Sequence, residues 1–419
     1  MHNCTSPGTG EIMVSNYIER SIERVLKKAV KEFPAVVLTG PRQSGKTTTL
    51  KHLFGKDCRY VSLEPPDVRA AAMTDPRGFL NQYSPPVIFD EIQHAPDLLP
   101  YVKERIDENR RERGQYILTG SQNLLLIRSV TESLAGRAAI LKLLPLSYRE
   151  AAGDRNCPLP WEQGRMGKDL PGLSYLELWK GLLRGTYPEL IAEGDRDFSL
   201  WHASYVQTYL ERDVRGLRQI GDLTLFQNFL RTIAARSGQL LNLADIGRDL
   251  GIGLNTVKQW ITILEATFQI IILRPYFANI GKRLVKTPKV YFTDTGTLCY
   301  LAGLKDAEHA ASGPLGGVIF ETGVLAEILK RFVHGGQDPH LYFWRTSHGS
   351  EVDFIVEQGG KLIPIEAKLS GTPRPTMAPG ILAFRKDFPK KTEKGYIIHP
   401  GDMKLSIAPN VLALPFAAL

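Results

Sequence analysis

Four cysteines are all that the 419 residues contain, and Cys4, Cys58, Cys157 and Cys299 lie too far apart to form a Cys-x-x-Cys pair. Such spacing argues against a disulfide framework and a thiolate zinc site, and it predicts a protein of the reducing cytoplasm. Long apolar runs are lacking too. The most apolar stretch, residues 261–273, carries Glu265 and Gln269 and falls short of the about 20 residues that a membrane-spanning helix needs. Residues 1–15 are rich in Gly, Ser, Thr and Pro without an apolar centre, so no signal peptide is expected there. A disordered leader over 1–16 is expected instead, with Met13 a candidate start.

Charge of one sign is scarce as well: 52 Lys and Arg against 44 Asp and Glu give a net +8. Spread over this length, that excess does not by itself predict a nucleic-acid partner. No repeat of fixed period is visible. What remains is an ordinary 43% apolar content with 38 Gly and 27 Pro, enough for two to four globular domains at about 100–200 residues each.

Short β-branched runs at 35–38, 59–63, 86–89, 115–118 and 138–144 alternate with helical patterns. That alternation predicts an α/β unit over 17–152, a parallel sheet with helices on both faces. A Gly/Pro-rich connector at 153–172 and helical patterns at 175–184 and 198–215 form an expected linker and lid, 153–222. A compact unit at 223–300 follows, then a second linker at 312–317 and a mixed α/β segment at 318–400.

After the first apolar run stands Gly40-Pro41-Arg42-Gln43-Ser44-Gly45-Lys46-Thr47, a full G-x-x-x-x-G-K-[ST] pattern (Walker A), with a helical run from Thr48. The glycines let backbone amides wrap a β-phosphate, and the helix N-terminus adds its positive end. Lys46 would reach the β- and γ-phosphates and Thr47 would ligate Mg²⁺. A second buried run, 86–89, ends in Asp90-Glu91. Asp90 would hold Mg²⁺ through water and Glu91 would polarise the attacking water; alone, such a pair would be a helix cap. A third run ends in Thr119-Gly120-Ser121-Gln122-Asn123, and one of Ser121, Gln122 and Asn123 would sense the γ-phosphate. Arg137, before the last strand, is either an arginine finger reaching a neighbouring subunit's nucleotide or a surface charge.

The run from Pro41 to Thr48, together with Leu118-Thr119-Gly120-Ser121, Gly136-Arg137 and Pro145-Leu146-Ser147, resembles the AAA-type P-loop ATPases of bacteria and archaea that carry a C-terminal domain of uncertain function. The likeness spans about 17–400. It implies ATP and Mg²⁺ binding, a phosphate-loop strand beside the sensor strand, and ring or homo-oligomer formation.

Residues 242–251 and 254–264 read as two helices around a short turn, helix-turn-helix spacing. Runs at 270–275 and 289–292 flank a basic tip of Lys282, Arg283 and Lys286, which suggests a wing, and the family resemblance agrees with a winged helix. Asn255, Thr256, Lys258 and Gln259 would face a DNA groove. The same unit would serve equally as a packing or oligomerisation module. Arg212, between Glu211 and Asp213, is read as a lid arginine near the nucleotide or as a surface ion pair.

Farther on, two alternating runs flank Gly359-Gly360, a hairpin signal. A two-residue turn there puts Asp353 opposite Glu366 and Glu351 opposite Lys368, all four on one polar face. Val352, Phe354, Val356, Ile363, Ile365 and Ala367 would form the buried one. Asp353, Glu366 and Lys368 stand at the positions that the PD-(D/E)XK restriction-endonuclease-like fold uses, with Val352 in place of its proline. That resemblance implies Mg²⁺ at Asp353 and Glu366 with Lys368 assisting water attack, and Glu321 and Glu327 on a preceding helix offer a third acid. The competing reading is a surface charge cluster.

The whole predicts a Mg²⁺-dependent ATPase whose cycle drives a DNA-related task through the winged-helix and nuclease-like modules. The alternative is a nucleotide-dependent switch or scaffold whose C-terminal domain binds a partner without cleaving it.

Overall fold

A computed structural model describes residues 17–121, 130, 132–162, 173–210, 222–277 and 286–419. Gln122, Asn123, Glu211, Arg212, Asp213, Lys282 and Arg283 lie outside these residues. The expected leader and half of the connector, residues 163–172, do too.

Five short strands build the first layer: β1 (Ala35–Thr39), β2 (Arg59–Ser62), β3 (Val87–Asp90), β4 (Tyr116–Gly120) and β5 (Ala138–Lys142). All pair in parallel, in the order β2-β3-β4-β1-β5. The three inner strands are buried at every residue, as strands covered on both faces must be, and they read as unbroken apolar runs. Alternation divides their side chains between two cores. Val37, Phe89 and Leu118 pack with Leu99, Val102 and Ile106; Val36, Ile88 and Ile117 pack with Leu26 and Leu50 on the other side. This is the expected α/β unit, with the phosphate-loop strand β1 beside β4.

Helix Leu223–Ala235 leads to helix Leu243–Leu250 and helix Leu254–Ala266. The Asn242 side chain accepts from the amides of Ala244 and Asp245 to cap the second helix, and Gly251, at φ 66°, closes it. Trp260 fixes the third helix by setting its ring edge against Phe226 and Phe229, centroids 5.3 and 5.1 Å away. Asn255, Lys258 and Gln259 face solvent.

The second sheet overturns one boundary of the expected layout. Strands β6 (Ile270–Pro275) and β7 (Lys289–Phe292) pair antiparallel. Yet β6 also pairs in parallel with β8 (Leu341–Arg345) at Arg274–Tyr342 and Pro275–Phe343. With β9 (Glu351–Gln358), β10 (Lys361–Ala367), β11 (Gly395–His399), β12 (Leu405–Ala408) and β13 (Val411–Pro415), the order is β12-β13-β11-β10-β9-β8-β6-β7. Residues 223–300 and 318–400 therefore share one mixed sheet, which continues past 400 to Pro415. An unpaired β6 edge would expose backbone donors and acceptors, and β8 satisfies them.

Helix Gly316–His334 lies against one face, joining Phe354, Val356, Ile363 and Ile365 in the largest core. Helix Pro379–Asp387 covers the other, where Phe384 meets Ile355 and Leu362. Val352 joins this second cluster, apart from Phe354 and Val356. Among the described residues no helix is long and apolar enough to cross a membrane.

Candidate functional site

The phosphate loop leaves β1 through Gly40, where a Cβ would sit 2.0 Å from the Leu143 carbonyl oxygen. No other residue fits that approach. Gln43 at φ 61° and Gly45 at φ 89° complete the turn, and helix Lys46–Phe54 starts at once. Pro41, Ser44 and Lys46 are buried, Arg42 and Thr47 half-buried, and Gln43 and Thr48 exposed. The Lys46 ammonium folds back onto the loop, donating to the carbonyls of Gly40 (3.0 Å) and Pro41 (2.8 Å).

Asp90 stands at the end of β3 and gathers three hydroxyls. Its Oδ2 accepts from Thr47 Oγ1 at 2.9 Å and Tyr60 Oη at 2.6 Å, and its Oδ1 accepts from Thr119 Oγ1. Glu91, in the left-handed region at φ 57°, turns its carboxylate toward Gln93 Nε2 and Ser121 Oγ. Thr47, Asp90, Glu91 and Ser121 are thus brought together at the C-terminal edge of the sheet, where open α/β sheets bind ligands. Tyr60, Gln93 and Thr119 join them unforeseen. Thr119 alone had a signal, being the last hydroxyl of an otherwise apolar run. Burial first, and the hydrogen bond to Asp90 second, push the Tyr60 hydroxyl above its ordinary pKa.

Arg137 is not in this group. Its carbonyl accepts from the Ala35 amide, at the start of β1, so it sits at the opposite edge of the sheet, about 16 Å along a strand at ~3.3 Å per residue. Its guanidinium grips Asp107 through Nε (2.7 Å) and Nη2 (2.9 Å). Within one chain the expected finger cannot reach the loop.

Arg20 does reach it. Buried to 2% exposure, it donates from Nη1 to the Ser44 carbonyl (2.8 Å) and from Nη2 to that of Leu144 (2.7 Å). Its Nε lies 3.4 Å from Glu150 Oε2, and His334 Nδ1 approaches the same oxygen to 3.0 Å. Burial raises the Glu150 pKa, but the positive charge of Arg20 and the contact with His334 outweigh it and hold the carboxyl well below its usual range. Burial pushes the His334 imidazole down, against the pull of Glu150, so a neutral ring is expected. Its Nε2 then accepts from the Leu144 amide at 3.2 Å. The loop's backbone is in this way tied to the far end of helix Gly316–His334.

At the hairpin, β9 and β10 pair in the register that a Gly359-Gly360 turn dictates, from Lys361–Gln358 to Ile365–Phe354. Asp353 Oδ2 accepts from the Ala367 amide at 2.9 Å. The polar face is not open, however: Glu366 is 4% exposed. Lys368 pairs with Glu366 Oε2 (2.5 Å) rather than with Glu351, which turns to Lys289 of β7 (2.6 Å). Glu321 closes the group from the helix above, accepting from Tyr291 Oη. Burial and then Asp353 push the Glu321 carboxyl up to about 7. Burial likewise pushes Glu366 up to about 7 and raises Asp353. Burial would lower the Lys368 ammonium, but Asp353 and Glu366 outweigh it and raise it. Among the described residues no group of three or more His, Cys, Asp or Glu side chains is placed to hold a metal ion. Glu327 is turned away, its Oε2 accepting from the Tyr148 amide at 2.6 Å. Lys289 and Tyr291 were invisible in the sequence, because only strand pairing brings β7 near β9.

Three family models match successive parts of the chain. Residues 32–152 match an AAA domain, 176–308 a domain of unknown function (DUF8612) and 316–419 a domain of unknown function (DUF4143). The Walker-type ATPase PABY2304 of Pyrococcus abyssi aligns over 69% of this chain and 97% of its own, with 16% identity and a TM-score of 0.46. The RuvB Holliday junction branch migration motor of Thermotoga maritima aligns over 60% and 88%, with 17% identity and a TM-score of 0.28. At those scores the ATPase fold rests on the strand order and the AAA match instead. The uncharacterized protein Rv2008c of Mycobacterium tuberculosis is 30% identical over 99% of this chain and 87% of its own length, as is Mb2031c of Mycobacterium bovis. The uncharacterized protein MJ1544 of Methanocaldococcus jannaschii is 22% identical over 76% of this chain and 71% of its own. The chain belongs to the family of these mycobacterial proteins, and its N-terminal unit is an AAA-type P-loop ATPase domain.

Proposed function

We infer that the chain binds ATP and hydrolyses it with Mg²⁺. The observation that carries this is the 2.9 Å hydrogen bond from Thr47 to Asp90. It joins the first turn of the phosphate-loop helix to the end of β3, and these two oxygens would hold the cation, Thr47 directly and Asp90 through water. Bound Mg²⁺ neutralises charge on the β- and γ-phosphates. The chain's own groups do the rest. Amides from Gly40 to Thr48 wrap the phosphates, and Lys46 exchanges the Gly40 and Pro41 carbonyls for phosphate oxygens. Glu91, steered by Gln93 and Ser121, orients and deprotonates water.

The second candidate site supports a divalent cation at Asp353 and Glu366. Glu366 Oε1 is buried with no well-aligned hydrogen bond, the Ile381 amide alone acting on the carboxylate beside Lys368, a costly state that a ligated cation would relieve. Coupling the two sites to DNA, through the exposed Asn255, Lys258 and Gln259 and the nuclease-like face, completes the reading. The test is ATP turnover with and without single-stranded, double-stranded and branched DNA. Stimulation by one form supports the coupled ATPase. Tight ATP binding with negligible turnover under every condition would replace it with the switch or scaffold.

A further inference from the structure

Lys289 belongs to no hairpin motif, yet it is built into the carboxylate cluster. Only 6% exposed, its ammonium lies 2.6 Å from Glu351 Oε1 and 3.7 Å from Glu321 Oε1. Tyr291, next on the same face of β7, gives its hydroxyl to that Glu321 oxygen. Across the group, Lys368 holds Glu366 Oε2. Two ammonium groups, with the Arg345 guanidinium 3.7 Å from Glu351 Oε2 at the rim, therefore serve four carboxyl groups, those of Glu321, Glu351, Asp353 and Glu366. Glu366 Oε1 makes no well-aligned hydrogen bond and lies against Gly380, where a Cβ would come within 2.4 Å of it, so that beside Lys368 the carboxylate has only the Ile381 amide to draw on. Each lysine is held by its own glutamate, Lys289 by Glu351 and Lys368 by Glu366.

We propose that Lys289 is a latch on this cluster, a tethered cation that occupies the Glu321–Glu351 side and opposes entry of a divalent ion at Asp353 and Glu366. The latch rests on the reading of Asp353 and Glu366 as cation ligands. An ammonium a few ångströms from a divalent ion in a partly buried site repels it strongly, and deleting the charge leaves the acids more attractive to the ion.

The experiment uses the full chain and Mn²⁺ alone, with binding read by calorimetry and by the rise in unfolding temperature. Lys289→Met should bind Mn²⁺ at least about tenfold more tightly than the unsubstituted chain, and Lys289→Arg, which keeps the charge, no more tightly than it. Lys289→Gln, which retains a donor for Glu351, covers failure of the Met variant to fold. Glu366→Gln should remove, in every background, the Mn²⁺ binding that Lys289→Met strengthens. Binding that needs Glu366 but is unchanged or weaker in both uncharged variants overturns the latch and leaves the cation site standing. No Glu366-dependent binding in any of them overturns both.

Discussion

The chain places acids in two sheets by opposite means. Asp90 and Glu91 are neighbours in sequence at the open C-terminal edge of a parallel sheet, facing a loop only a few residues long. Asp353 and Glu366 meet across a hairpin and are then enclosed by Glu321 from a helix and Lys289 from a strand on the far side of β8. The first site takes its positive charge from a lysine held on the carbonyls of its own loop. In the second, both lysines are already spent on carboxylates. A site written in one loop can be read and altered alone, whereas one assembled from three elements answers to all of them.

The largest expected effect tests the first half of that contrast. Lys46→Ala should abolish ATP binding, while Glu91→Gln should keep binding and slow turnover about 10²- to 10⁴-fold. Equal loss of binding in both would mean the two residues do not divide the labour. Next comes Arg20→Met, which strands the buried Glu150 carboxylate without its strongest partner; a loss of about 3–5 kcal/mol in urea unfolding is expected. A loss under 1 kcal/mol would show the loop to be independent of that anchor. Trp260→Ala, at the packing centre of the three helices between Leu223 and Ala266, should cost a similar ~3–5 kcal/mol without changing ATP affinity.

Smaller effects sharpen the second half. Asp353→Asn or Glu366→Gln should each remove the Mn²⁺-induced rise in unfolding temperature, and Lys368→Ala should keep that rise but lose any DNA cleavage. Retention of the rise in both acid variants would return the hairpin to a charge cluster. Smallest of all is Arg137→Ala, which should leave ATP affinity unchanged. Reduced turnover, restored by mixing with the Lys46→Ala protein, would place this arginine in a neighbour's site. Unchanged turnover would leave the Asp107 pair as its whole task.

What could be read from the sequence follows the same division. The five parallel strands are legible because buried strands must be continuous apolar runs, and the turn glycines punctuate them. The hairpin register is legible because Gly359-Gly360 fixes it. Three features are not. The parallel pairing of β6 with β8 joins segments about 70 residues apart, and no periodicity encodes it. Tyr60 and Lys289 reach their acids only through strand order. Arg137 looks like a finger by position in a motif, but the pattern does not say at which edge of the sheet it lies. The fold within each segment is local information; the chemistry between segments is topology.

Helix Gly316–His334 has a consequence for any attempt to take the protein apart. Its 19 residues make a rod about 28 Å long at ~1.5 Å per residue. One end presents Glu321 to β7, and the other presents Glu327, Lys330 and His334 to Tyr148, Thr186 and Glu150. A cut placed just ahead of the helix would take His334 away from Glu150 and take Tyr291 and Lys289 away from Glu321. Domain swapping by recombination is therefore restricted here: a foreign C-terminal segment would need a helix carrying the same four contacts at the same turns. The two halves must be inherited together, whatever work each of them does.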